Sequence, residues 1–250
     1  MRVFSETPKP LILASALFFL AAYFAARFPD VPGASAGSYV STFAIAAPSF
    51  VALTLYFGVR KGLFALVVLG VFGYCIETVG VVTGFPYGEF FYGDSLGGKL
   101  FGVVPYLLPV SYVPLVIGAV AASWRPRGSR PLFILRAALL LTLFDVVLDP
   151  GAVALGFWVW PDGGVYYGVP LCNYFGWLIS SAFAAALLTA FDEWRFAPLP
   201  GLLDGAIVGL SFWIGVSAFT GMLFPTLFGL ALFAFLLRKR SSLRQDKLKP

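Results

Sequence analysis

The sequence predicts an all-α fold, a polytopic membrane bundle of about eight transmembrane helices that occupies residues 1–250 as a single domain. Of the 250 residues, 60% are hydrophobic and only 12% are charged, with a mean hydropathy of +0.89. A water-soluble domain carries about 25% charged residues. The composition therefore excludes a soluble globular protein.

Apolar stretches long enough to cross a bilayer recur along the whole chain. A helix rises about 1.5 Å per residue, so about 20 residues cross the hydrocarbon core. Eight such stretches are present: Leu11 to Ala26, Tyr39 to Val59, Gly62 to Val82, Val103 to Trp124, Leu132 to Leu155, Leu171 to Phe191, Leu202 to Phe219 and Met222 to Leu237. Thr220 and Gly221 separate the last two, which predicts a tight helical hairpin.

The distribution of basic residues supports this topology, because cytoplasmic loops carry an excess of lysine and arginine. With the N-terminus inside, all 17 basic residues except Arg27 and Lys99 fall on the cytoplasmic side. The sequence therefore predicts a multi-pass protein of the cell membrane with both termini cytoplasmic. The basic segment after Leu237 is expected to contact anionic lipid headgroups rather than nucleic acid.

The chain contains no histidine, which excludes His-ligated haem or zinc and any catalysis by a Ser-His-Asp set. Cys75 and Cys172 form no metal-binding or disulfide motif, and we expect both to be small buried apolar residues. The sequence therefore predicts no metal site and no cofactor. Any chemistry must use carboxyl, hydroxyl or aromatic groups.

Three acidic residues fall inside apolar spans, in the outer half of the predicted membrane. Glu77 lies in the third span, and Asp145 and Asp149 lie on one face of the fifth because they are four residues apart. An acid at membrane depth costs about 2.5–3.5 kcal/mol on insertion scales and usually marks a functional interior. Two neighbouring carboxyl groups in a low dielectric cannot both ionise readily, so at least one is expected to remain a general acid. In the alternative interpretation, the acids only hydrogen-bond neighbouring helices.

The two longest outer loops, Thr83 to Gly102 and Gly156 to Pro170, share a pattern with the helices that precede them. Glu77 and Asp149 each precede a Gly-Phe pair by seven residues, and a Val-Pro pair closes each loop. This pattern predicts a parallel internal repeat that sets the two acids opposite each other. The alternative is that aromatic residues and glycines simply recur at the membrane interface.

Aromatic side chains of the outer loops are the candidates for substrate binding, because their faces stabilise a carbocation by about 2 kcal/mol or more when desolvated. Asn173 is a candidate to position water. The full set is Trp158, Trp160, Tyr166, Tyr167, Asn173, Trp177, Tyr87 and Tyr92. Pro150 is expected to free the carbonyl of Val146 for a water or a protonated side chain. Glu89 and Asp94 are expected to be solvated.

A resemblance to a known family rests on two segments, ETVGVVTGFPYGEFFY and FDVVLDPGAVALGFWVWPDGGVYYGVPLCNYFGW. They are similar to membrane carotenoid biosynthesis proteins of the bisanhydrobacterioruberin hydratase type, over roughly Gly73 to Trp177. The LDP, GFW, YYGVP and N-x-x-GW elements are fairly specific when they occur together.

The resemblance implies addition of water to a terminal double bond of an acyclic carotenoid, without a redox cofactor. It implies an acid/base set of Asp149, Asp145 and Glu77. The burial of the aspartates and the adjacent Pro150 favour Asp149 or Asp145 as the proton donor, with Glu77 polarising the attacking water as base. The implied partners are a carotenoid within the bilayer, membrane lipids and other enzymes of a carotenoid pathway.

Three other functions stay open at this point. A carotenoid cyclase uses the same protonation but excludes water from the cation. A membrane prenyltransferase would use Asp145 and Asp149 to bind magnesium and a diphosphate. A transporter or lipid-binding protein would use the buried acids as a proton relay.

Overall fold

The computed structural model describes residues 7–28, 34–125, 128–192 and 198–247. These residues form eight α-helices, as the sequence predicts. The helices are α1 (Lys9–Arg27), α2 (Ala34–Phe57), α3 (Val59–Thr83), α4 (Leu108–Ser123), α5 (Arg130–Ala154), α6 (Leu171–Ala190), α7 (Asp204–Phe219) and α8 (Leu223–Lys247). Short elements are the 3-10 turns Asp94–Leu96 and Pro200–Leu203 and the strands β1 (Phe91–Tyr92), β2 (Lys99–Leu100), β3 (Val104–Pro105) and β4 (Trp158–Val159).

Six of the described helical segments are long and apolar enough to cross a bilayer. They are α1, most of α2, α3, α5, α6, and α7 with the 3-10 turn before it. The other two differ for clear reasons: α4 has 16 residues, and the apolar part of α8 ends at Leu237, before three consecutive basic residues. The predicted all-α membrane bundle is confirmed.

Helix α7 lies at the centre of the bundle and packs against α1, α2, α4, α5 and α8. Small residues permit these close approaches, as is usual between membrane helices. A Cβ atom at Gly215 would lie 2.5 Å from the carbonyl oxygen of Phe19, and one at Gly205 would lie 2.7 Å from Ser49 Oγ. Glycine is therefore required where the central helix meets α1 and α2.

Polar contacts join α4, α7 and α8 at one end of the bundle, which we call the basic end. The Arg240 guanidinium donates two hydrogen bonds to Asp204, from Nε to Oδ1 at 2.6 Å and from Nη2 to Oδ2 at 3.1 Å. Lys239 Nζ donates to the carbonyl oxygen of Trp124 at 2.6 Å. These contacts gather the segments that the distribution of basic residues predicts to be cytoplasmic.

The two long loops meet at the opposite end, which we call the loop end (residues 84–107 and 155–170). Strands β1 and β4 pair in antiparallel orientation, with Tyr92 opposite Trp158. The Gly93 N–H donates to the carbonyl oxygen of Phe157 at 2.8 Å. The loops that follow α3 and α5 therefore form one connected layer, which places the two predicted repeat units side by side.

Two predicted span boundaries differ from the helices. The fourth helix begins at Leu108 rather than Val103, because Val104–Pro105 pair with β2 as a strand and Pro109 occupies the first helical turn. The eighth helix continues past Leu237 to Lys247, because Arg240 reaches Asp204 only from an additional helical turn.

The expectation that both cysteines are buried is wrong. Cys75 and Cys172 are exposed free thiols on the surface of the described chain. The outer surface of a membrane bundle contacts lipid, so a weakly polar thiol is accommodated there as readily as in the core. In a soluble protein an apolar residue is usually buried, whereas in a membrane protein it can instead face the lipid.

Candidate active site

A cavity of about 740 Å³ lies beneath the paired loops and extends into the bundle between α2, α4 and α7. Residues from α1 through α7 and from both loops form its walls, and most of them are apolar. Glu77, Asp145 and Asp149 all line it. The structure therefore brings the three predicted acids, which come from two separate spans, to one site.

The three carboxyl groups are almost completely enclosed by protein. Asp145 and Asp149 are each 1% exposed, one turn apart on α5, and Glu77 on α3 is 5% exposed. Each aspartate interacts electrostatically with Glu77. Among the described residues that line the cavity there is neither lysine nor arginine. The site is therefore a cluster of acids without a cation beside it.

Glu77 is held by the loop that follows its own helix. The Tyr92 hydroxyl donates to Glu77 Oε2 at 2.7 Å. Burial, together with the neighbouring Glu77 carboxyl, raises the pKa of the Tyr92 phenol well above its ordinary value. The phenol therefore remains protonated and continues to donate to Glu77.

The two aspartates differ in their hydrogen bonds. Asn173, 2% exposed near the start of α6, donates from Nδ2 to Asp149 Oδ2 at 2.6 Å. Neither carboxyl oxygen of Asp145 has a hydrogen-bond partner within the described part of the chain. Asp149 is thus fixed by a neutral amide, whereas the carboxyl oxygens of Asp145 are open to a molecule in the cavity.

Aromatic side chains form the wall around the acids. Five of the predicted binding residues line the cavity, namely Tyr87, Tyr92, Trp158, Trp160 and Trp177, and Asn173 lines it as well. The Trp160 indole N–H donates to the carbonyl oxygen of Tyr87 at 3.1 Å. The rings of Tyr87 and Trp177 lie 5.7 Å apart between centroids. These contacts fix the π-faces next to the acid cluster.

The sequence model of one family, described as "Carotenoid biosynthesis protein", matches residues 36–236. This chain belongs to the carotenoid biosynthesis protein family. It is 42% identical over 181 residues to bisanhydrobacterioruberin hydratase of Haloarcula japonica, a match that covers 69% of this chain and 60% of that protein. The chain thus spans about 60% of the length of the curated relative that it matches. No solved structure matches the chain.

The family confirms the resemblance that the two sequence segments carry. Both segments lie within the matched range, and both contribute acids and aromatic residues to the cavity. The two stretches on which the resemblance rests therefore supply the acids and many of the aromatic residues of the cavity wall.

Two aromatic residues predicted to bind substrate do not line this cavity. The Tyr166 hydroxyl instead donates to the carbonyl oxygen of Val146 at 2.9 Å. This is the carbonyl that Pro150 leaves without a helical donor, so Tyr166 satisfies it. Tyr167 is 42% exposed at the loop end. Substrate contact by Tyr166 and Tyr167 stays a prediction.

Sequence reasoning missed several residues of the cavity wall. Tyr112, Phe212 and Trp213 line the cavity, but each lies within an apolar run where nothing distinguishes it from a lipid-facing residue. Asp94 behaves as expected, because it is solvent-exposed and paired with Lys99 at 2.9 Å. The usable signals were a charge inside an apolar run and the aromatic residues of the outer loops.

Proposed function

We propose that the protein is a carotenoid hydratase, a hydro-lyase that adds water to a terminal isoprenoid double bond of an acyclic carotenoid. The observation that carries the proposal is the cluster of three enclosed carboxyl groups facing an apolar, aromatic-walled cavity. The relative named as a hydratase supports the same chemistry. Acids and π-faces are the groups that alkene protonation requires.

The cavity favours an uncharged substrate. A prenyl diphosphate would require basic side chains near the acids, and no lysine or arginine occurs among the described lining residues. The apolar wall continues from the loop end to Gly205 and Gly209 on α7. An elongated hydrocarbon chain fits this depth, with its reacting end at the carboxyl groups.

Asp145 is the proton donor in this proposal, because no group of the described residues forms a hydrogen bond with its carboxyl oxygens. Its O–H proton passes to the less substituted carbon of a terminal isopropylidene group, and the π electrons form the new C–H bond. The positive charge then resides on the carbon that carries two methyl groups. Asp145 is left as a carboxylate.

The tertiary cation is stabilised from two directions. Trp158, Trp160 and Trp177 present π-faces, which contribute about 2 kcal/mol or more each when desolvated. Asp149, fixed by Asn173, supplies an oriented negative charge in a water-poor site. These groups are already in position before the cation forms, so little reorganisation is needed.

Water completes the reaction. Its oxygen donates a lone pair to the cation and forms the C–O bond, and Glu77 accepts the released proton. Return of that proton from Glu77 to Asp145 restores the starting state. The net change is the addition of one water molecule, with no redox step and no cofactor.

We propose that the carotenoid enters from the bilayer and that other enzymes of a carotenoid pathway supply it. The loop end then faces outward and the basic end inward, with both termini cytoplasmic. The gathering of Trp124, Asp204, Lys239 and Arg240 at one end supports this orientation.

The proposal is tested by expressing the protein with an acyclic carotenoid pathway in oxygen-18-labelled water. We expect a product heavier by one labelled water per reacted end, detected by mass spectrometry of extracted pigments. A product of unchanged mass and altered retention would replace hydration with cyclisation, and no change across several acyclic carotenoids would favour transport. Loss of activity in EDTA with recovery in magnesium would favour a prenyltransferase.

A further inference from the structure

Three buried polar groups on the cavity wall lack hydrogen-bond partners among the described residues. They are the Asp145 carboxyl group and the hydroxyl groups of Tyr112 and Tyr87. Asp145 and Tyr87 are each 1% exposed, and Tyr112 is 5% exposed. An unsatisfied buried polar group costs about 1–3 kcal/mol, so three such groups on one cavity wall indicate a bound water or a polar ligand atom.

The position of Tyr112 is fixed by the packing of its ring. The ring lies on α4, 5.9 Å from the ring of Trp177 between centroids. A Cβ atom at Gly73 would approach its Cδ1 atom to 3.0 Å, so the ring also lies close against α3. The hydroxyl group interacts electrostatically with both Glu77 and Asp145. It is therefore held near the proposed base and the proposed acid together.

We infer that Tyr112 is a further catalytic residue, which binds the reacting water near Asp145 and Glu77. The inference rests on the proposed hydration. The phenol oxygen accepts one hydrogen bond from the water, and the Glu77 carboxylate accepts the second. Both water protons are then engaged, and a lone pair of the water oxygen is directed at the cation.

This role separates Tyr112 from the residues that make the cation. Proton transfer from Asp145 precedes the attack by water and does not require the phenol. Without a held water, the cation loses a proton from the same carbon and returns to the alkene. In deuterium oxide the acid carries deuterium, so an alkene that forms the cation and returns becomes deuterated without gaining water.

The test is run in deuterium oxide and measures the two products that the cation can form, the hydrated carotenoid and the deuterated alkene. We expect Tyr112→Phe, which keeps the ring, to lower the ratio of hydrated product to deuterated alkene about tenfold or more. Tyr174→Phe is the matched control, because the Tyr174 hydroxyl is also buried without a partner among the described residues but does not line the cavity. Its ratio is expected to equal that of the unmodified protein.

Two results would overturn the role of Tyr112. One is an unchanged ratio in Tyr112→Phe, and the other is loss of hydration and deuteration together in a variant that still folds and binds carotenoid. The variant Asp145→Asn tests the proposed hydration itself, separately from the role of Tyr112. That variant is expected to form neither hydrated nor deuterated product, and wild-type levels of both would remove the proton donor on which the hydration mechanism depends.

Discussion

The two ends of the bundle hold buried carboxyl groups in opposite ways. At the basic end, the Arg240 guanidinium binds Asp204 through two hydrogen bonds. At the loop end, a phenol holds Glu77, an amide holds Asp149, and no described protein group holds Asp145. A carboxylate bound by a cation is a poor proton donor, whereas a carboxyl group in an apolar cavity retains its proton for transfer. The first arrangement stabilises the fold, and the second is the one that the proposed hydration uses.

The largest effect is expected from replacing the two aspartates at the loop end, the proposed proton donor Asp145 and the proposed charged group Asp149. Asp145→Asn and Asp149→Asn should each lower hydration at least about 100-fold, because the amide keeps the shape but neither donates a carboxyl proton nor carries the charge. Product is measured by mass spectrometry, and folding by thermal unfolding in detergent. Glu89→Gln, an exposed acid of the loop end, is the control. Full activity in both aspartate variants would contradict a catalytic role for the acids at the loop end.

A smaller effect, on stability instead of chemistry, is expected at the basic end. Arg240→Met leaves the partly buried Asp204 without its cation, which should lower the free energy of unfolding by about 2 kcal/mol, between the values for exposed and buried ion pairs. Hydration per folded molecule should be retained. Chemical unfolding in detergent measures the loss, and the double variant Asp204→Asn with Arg240→Met should recover most of it. If the double variant is no more stable than the single one, the ion pair is not the source of the effect.

The smallest effect is expected at the helix break near the acids. Tyr166→Phe removes the donor to the Val146 carbonyl and should lower the free energy of unfolding by about 1 kcal/mol. Tyr167→Phe, at a partly exposed side chain, should have a smaller effect in the same unfolding measurement. Loss of carotenoid binding in Tyr166→Phe beyond the loss of folded protein would indicate direct substrate contact instead.

The sequence predicts the helices well, because membrane insertion imposes a simple requirement. Backbone groups must bond internally in lipid, so long apolar runs become helices. Prediction fails where tertiary contacts decide the boundary. Val104–Pro105 leave the apolar run to form a strand with β2, four to six residues earlier. Helix α8 continues past the apolar run to include Arg240, whose partner Asp204 lies 36 residues away. An apolar pattern indicates neither contact.

The same reasoning explains which parts of the site were predictable. Glu77, Asp145 and Asp149 were found because a charge within an apolar run is costly and therefore conspicuous. Tyr112 was missed because a tyrosine in an apolar run carries no such cost until its hydroxyl is enclosed. The distinction between the two aspartates was also inaccessible, because it depends on Asn173 from another helix.

The ion pair at the basic end also constrains how the protein is made. Synthesis proceeds from the N-terminus, and Arg240 follows Asp204 by 36 residues. When α7 reaches the membrane, its acid has no cation to meet until α8 has been synthesised. The tight turn at Thr220 and Gly221 joins the two helices, and the Arg240–Asp204 contact links α8 to the start of α7. The ion pair can therefore form only after both helices have been made.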